Sequence, residues 1–151
     1  MKVLVPVEDL LFGTAIVDFI AQHDWKQETE FRLINVIEPY LTDTTSHAPF
    51  AKLMQISREQ VMSVAATLLD KLAELIQNKV PSAKVSKQVI EGHIKDEIIA
   101  AASAFSADLV LAGSHGRGGF SRFSLGSVSL LLISEAPCPV LLIKPDAKVL
   151  H

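Results

Sequence analysis

The 151-residue sequence has a single cysteine, Cys138. It can form no disulfide within the chain and no cysteine-based zinc site. Cys138 reads as a small buried residue at a strand entrance. Basic residues are not in excess, since 14 Lys and Arg stand against 17 Asp and Glu. A net charge of −3 removes the electrostatic footprint of a nucleic-acid binder and of a polybasic membrane patch. No run approaches the ~20 apolar residues of a membrane span. The apolar start of "MKVLVPVED" is too short for a secretory signal and is soon broken by Pro6 and two acids. These absences lead to the expectation of a soluble, cytoplasmic protein. Glycine is also scarce: there are seven, and five of them fall in one stretch, "GSHGRGGFSRFSLGSVS" (113–129).

What is present is apolar mass. Hydrophobic residues make up 49% of the chain, enough for one domain with a real core. "KVLVPV" (2–7) lacks polar alternation, as expected of a strand buried on both faces. "LFGTAIVDFIAQH" has helical spacing at Phe12, Ala15, Ile16, Phe19 and Ile20. "EFRLINVIEPY" reads as a second strand ending near Pro39, and residues 41–50 as an irregular loop. A long amphipathic helix is expected from about Met54 to Lys79, with Pro81 just past its end. "AKVSKQVIEG" alternates and reads as an edge strand. "IKDEIIAAASAFS" is a helix, "ADLVLAG" a strand, "LGSVSLLLISEA" a helix, and "CPVLLIKP" a final strand. Strands alternating with helices imply a doubly wound parallel sheet, because parallel neighbours need crossover connections.

The glycine-rich stretch lies at the carboxyl end of the fourth strand and leads into a helix. In such sheets ligands bind at the carboxyl ends of strands. A helix N-terminus offers unpaired N–H groups to an anion, glycines admit a phosphate to the backbone, and the hydroxyls of Ser127 and Ser129 can add donors. The residues alone are compatible with a phosphate cradle or with a tight structural turn. Neither a P-loop nor a Gly-x-Gly-x-x-Gly turn after the first strand occurs.

The spacing Gly113-x2-Gly116-x9-Gly126-Ser127 resembles the ATP-binding branch of the universal stress protein family. "VLVPVED" is similar to that family's first strand, "LINVIEP" to its second, "ADLVLAGSHGRGG" to its fourth strand and loop, and "LGSVSLLLISEAPCPVLLIKP" to its last helix and strand. The resemblance covers the whole chain and implies one domain over 1–151. It implies a five-stranded parallel sheet in the order 3-2-1-4-5, Rossmann-like, holding ATP, ADP or AMP between strands 1 and 4, alone or with Mg2+. By motif position, Pro6, Val7 and Glu8 would lie near adenine and ribose, and Val36 would contact adenine through its backbone. Ala112, Gly113 and Gly116 would line the ribose and phosphate side. Gly126, Ser127 and Val128 would present N–H groups to the phosphates. The family also commonly forms a homodimer through its last strand, which implies antiparallel pairing of residues 140–143 across a two-fold axis.

Two departures from the family pattern stand out. Glu8, followed by Asp9, occupies a position where the family usually has Asp, and "LLFG" replaces a more polar start to the first helix. Adjacent carboxylates on a strand point to opposite faces. One is therefore expected as ribose acceptor and the other as helix N-cap. The "LLFG" start would narrow the mouth of the site. His115, Arg117 and Arg122 are either phosphate contacts or solvated loop residues. Ser114, Ser121 and Ser124 suit capping, because no histidine–aspartate pair can be placed beside them. No catalytic residue and no metal-ligand spacing is evident. The expectation is a nucleotide-responsive stress-response regulator, with a slow ATP hydrolase or a protein-contact role as alternatives.

Overall fold

The computed structural model describes residues 1–39, 48–114 and 125–145, with backbone alone over 48–56. In chain order the elements are β1 (Lys2–Pro6), α1 (Leu10–Gln22), β2 (Glu30–Ile37), α2 (Ala48–Lys79), β3 (Lys84–Glu91), α3 (Ile94–Phe105), β4 (Leu109–Gly113), α4 (Ser127–Glu135) and β5 (Val140–Ile143). The five strands form one parallel sheet in the order β3-β2-β1-β4-β5.

Period-two alternation sorts the strand side chains onto two faces. Val3, Val5 and Val7 join Phe31, Leu33 and Leu111 on one side, where they pack against Ile16, Val17 and Ile20 of α1 and Leu69, Leu72 and Ile76 of α2. Leu4, Ile34, Val110 and Ala112 face the other way and meet Ile98, Ala102 and Phe105 of α3 and Leu132 of α4. β1 is central and covered on both faces, which is why its sequence shows no polar alternation. β3, at an edge as expected, is mostly half-exposed.

The expected loop over 41–50 is corrected at its end. Residues 48–50 already belong to α2, whose start precedes the expected Met54 by six residues. Pro49 sits in the first turn, where its missing N–H would have had no helical partner in any case. Residues 41–47 lie outside the described residues.

The chain runs from β1 outward through β2 and β3, and then crosses to β4 and β5 on the other side. Strand order therefore reverses between β1 and β4. Those two strands are paired only at Val3–Leu109 and Leu4–Val110. Beyond that point Pro6 ends the ladder. The Val7 N–H donates to Ile34 on β2, so alternation turns the backbone of residues 4 and 6 toward β4. Proline has no N–H to give there. The two strands part, and a crevice opens at their carboxyl ends.

Candidate functional site

The crevice is a cavity of about 300 Å3. Its floor is the end of the sheet: Pro6 and Val7 from β1 and the turn after it, Ile34 and Val36 from β2, and Ala112 and Gly113 from β4. Glu8 and Phe12 form one wall, Ile94 and Ile98 of α3 another, and Gly126 to Ser129 at the start of α4 a third. Nine of the ten residues expected from the sequence line this one cavity. The tenth, Gly116, lies outside the described residues, as do His115, Arg117, Ser121, Arg122 and Ser124.

The cavity has a chemical direction. Val36, Ile34, Ile94, Ile98, Ala112 and Val128 belong to the apolar cluster on the α3–α4 face. Opposite in character are the exposed Glu8 carboxylate and Ser127 at the start of α4. Asn35 sets the apolar end. It is buried, and its amide donates to the Val7 carbonyl at 2.8 Å. The Ile37 carbonyl accepts from Gly92 on the β3 side, so the backbone of Val36 turns toward β1. β1 has ended at Pro6, and the peptide edge of Val36 opens on the crevice.

The N-termini of α1, α3 and α4 all lie at this edge of the sheet, and their caps differ. Asp9 caps α1, accepting from the Phe12 N–H at 3.0 Å. Glu38 accepts from the Ile94 N–H at 3.2 Å, and Asp96 and Glu97 add negative charge to the first turn of α3. α4 begins at Gly126 with no side-chain cap and no acid in its first turn. It is the terminus that keeps its partial positive charge for a ligand. Of the two carboxylates, Asp9 is the one that caps the helix, and Glu8 lines the cavity.

The first turn of α4 is tied firmly to β4. The Gly126 N–H donates to the Ser114 carbonyl at 3.1 Å, and the Ser129 hydroxyl donates to the Gly113 and Ser114 carbonyls at 3.0 and 3.1 Å. Ser129 is 3% exposed. This corrects the expectation that its hydroxyl serves a ligand, because the buried carbonyls of β4 have claimed it. Ser127 stays exposed on the cavity wall.

Gly113 has a role beyond the cavity. A Cβ at this position would stand 2.7 Å from Phe12 Cδ1 and 2.9 Å from its Cγ. The ring of Phe12 lies where a side chain of residue 113 would otherwise be. Gly126, by contrast, has φ −64° and ψ 157°, which any residue adopts, so its backbone does not require glycine.

Sequence reasoning did not place Ile34, Ile94 or Ile98 on the walls, brought Phe12 to the mouth only as part of "LLFG", and offered Ser129 only as a ligand donor. Ile94 and Ile98 carried one signal, an apolar pair four residues apart at the start of a helix that follows a strand end. Asn35 carried another, as a lone amide inside "LINVI".

Fold and cavity together define a doubly wound α/β protein with a ligand-sized crevice at its topological switch point. The sequence profile of the universal stress protein family matches residues 1–144, and the chain belongs to that family. A universal stress protein of Methanocaldococcus jannaschii is 38% identical over 65 residues, covering 43% of this chain and 38% of that protein. The stress response protein NhaX of Bacillus subtilis is 27% identical over 112 residues, 74% of this chain and 61% of that one. The chain spans less than two thirds of the length of the curated relatives it matches.

Among solved structures, the hypothetical protein MJ0577 superimposes with a TM-score of 0.80 at 20% identity, over 97% of this chain and 96% of that one. A universal stress protein family protein of Arabidopsis thaliana with AMP bound gives 0.63 at 20% identity, over 99% and 94%. The universal stress protein of Archaeoglobus fulgidus in complex with dAMP gives 0.63 at 18% identity, over 95% and 98%. At these identities the likeness is one of fold.

Proposed function

We propose that the chain binds an adenine nucleotide in the crevice between β1 and β4 and acts as a nucleotide-responsive regulator in a stress response. The observation that carries this reading is the convergence of Pro6, Val7, Glu8, Val36, Ala112, Gly113, Gly126, Ser127 and Val128 on one cavity. That the Arabidopsis and Archaeoglobus proteins hold AMP and dAMP supports it.

In this reading the base enters the apolar end, between Ile94 and Ile98 and the peptide edge of Val36. A flat heteroaromatic with donors and acceptors along one edge suits apolar walls beside a backbone N–H and C=O. Glu8 accepts from a ribose hydroxyl. The phosphate lies at the N-terminus of α4 on the N–H groups of Ser127 and Val128, with the Ser127 hydroxyl beside it. The motif that includes Gly116 resembles that of the ATP-binding branch, so the proposed ligand class is ATP, ADP and AMP, with Mg2+ as companion of the longer two.

The reading extends to assembly. β5 is an open edge with Leu141 38% exposed, and α4 beside it exposes Leu130 at 55% and Ile133 at 57%. Edge strands of this kind invite pairing. A two-fold dimer through Val140–Ile143 would cover them. Among the described residues no helix is long and apolar enough to cross a membrane, and the proposed setting is the cytoplasm.

The test is to denature the purified protein, identify released small molecules by mass spectrometry, and titrate the refolded protein with AMP, ADP and ATP. Adenine nucleotide should be released or should bind. Gly126→Val puts a branched side chain at the phosphate end, and its backbone angles suit valine. This variant should keep the fold and lose the nucleotide. Failure of all three nucleotides to bind at millimolar concentration contradicts the proposal.

A further inference from the structure

We infer that Phe12 is a specificity-determining residue that limits the phosphate chain, so that the site takes adenosine monophosphate in preference to the triphosphate. The inference rests on the adenine-nucleotide reading above. It begins from the two walls that flank Gly113. On one side the first turn of α4 is bonded to Gly113 and Ser114 and is without a side-chain cap. On the other the ring of Phe12 covers Gly113 so closely that a Cβ there would stand 2.7 Å from it. A phosphate on the α4 N-terminus therefore sits next to the residue that Phe12 covers.

The donors of α1 nearest the Phe12 ring are already engaged. The Phe12 N–H is held by the Asp9 carboxylate, and the Gly13 N–H by the Asp9 carbonyl. Thr14, the one hydroxyl residue of α1, spends its O–H on the carbonyls of Leu10 and Leu11. What this wall presents beside Gly113 is an aromatic ring. A ring neither donates to nor solvates phosphate oxygens.

Size points the same way. A cavity of about 300 Å3 stands at the lower end of the range for small-molecule sites.

The experiment is calorimetric titration of the full chain with AMP, ADP and ATP in excess Mg2+, repeated on Phe12→Ala and Phe12→Leu. Thermal melts of both variants verify the fold. The wild-type protein should bind AMP about tenfold more tightly than ATP, a ratio within reach of a steric wall. Phe12→Ala should raise ATP affinity relative to AMP and bring the ratio toward one, and Phe12→Leu should fall between. Wild-type ATP binding as tight as AMP binding, or a ratio unmoved in both variants, overturns the inference and leaves the adenine-nucleotide reading standing. Failure of all three nucleotides to bind either wild type or variants overturns both.

Discussion

The Ser129 hydroxyl donates to the Gly113 carbonyl at 3.0 Å, and this bond joins the first turn of α4 to the last residue of β4. A second bond from the same oxygen reaches the Ser114 carbonyl at 3.1 Å. The helix N-terminus that faces the cavity is therefore held by a buried hydroxyl and is not left to loop conformation. Preorganisation of this kind reduces the ordering that a ligand must pay for.

Ser129→Ala removes both bonds and takes the donor from the Gly113 carbonyl, while the Ser114 carbonyl keeps the Gly126 N–H. Stability should fall by about 1–3 kcal/mol, the usual cost of an unsatisfied buried polar group. Urea denaturation measures it. Nucleotide affinity should fall as well, since the α4 N–H groups are no longer fixed. A variant as stable as the wild type would show that the hydroxyl does not hold the helix.

Gly113 and Phe12 should be coupled energetically. Gly113→Ala drives a Cβ into the ring and should cost about 1–3 kcal/mol, the range for overpacking. In a Phe12→Ala background the added methyl enters vacated space, and most of that cost should disappear. A double-mutant cycle on unfolding free energies should return a coupling above about 1 kcal/mol. Additive costs would contradict the packing described.

Much of this architecture is legible in the residues, and the reasons differ by element. β1 and β4 could be read because central parallel strands are buried on both faces and so run apolar without alternation. The start of α2 could not, because a proline and polar neighbours look like a turn until Pro49 is seen in the first helical turn. The glycine spacing marked the sheet end and the α4 wall of the cavity. Ile94 and Ile98 lie outside that motif and reach the cavity only through the α3 crossover. The contact between Phe12 and Gly113 joins positions a hundred residues apart in the chain, which no local pattern encodes. Ser129 looked like a ligand donor because its competitors, two backbone carbonyls of the β4 end, are invisible until the chain is folded.

The carboxyl end of β3 supplies a pH-dependent contact. Arg58 of α2 pairs with Glu91 through its Nε, at 2.8 and 3.0 Å, and through its Nη2. The hydrogen bond from Arg58 holds the Glu91 carboxyl below its ordinary value of 4.5, against the opposing effect of desolvation. A carboxyl lowered on folding stabilises the fold above its unfolded pKa and loses that contribution as the pH falls through the folded one. Arg58→Met should therefore lower the denaturation midpoint at about pH 7, and the difference should shrink as the pH falls below the ordinary carboxylate range. A difference that is constant with pH would contradict the pairing.

Cys138 should react slowly. Burial raises its thiol above the ordinary 9.0, and the charge of Asp108 adds to the effect. Little thiolate exists at neutral pH, so iodoacetamide labelling of the native protein should run about tenfold slower than that of free cysteine. Labelling should accelerate on denaturation. Equal rates in the native and denatured states would contradict the burial.

The central claim is that an adenine nucleotide lies between β1 and β4 with its phosphate on the N-terminus of α4. The most direct measurement is a titration of the 15N-labelled protein with AMP, followed by amide shifts in two-dimensional NMR. The amides of Ser127 and Val128 should move most, downfield as they donate to phosphate, together with those of Val36, Glu8 and Gly113. Saturable binding that leaves Val36, Ser127 and Val128 unmoved, or no binding at millimolar AMP, would contradict the claim.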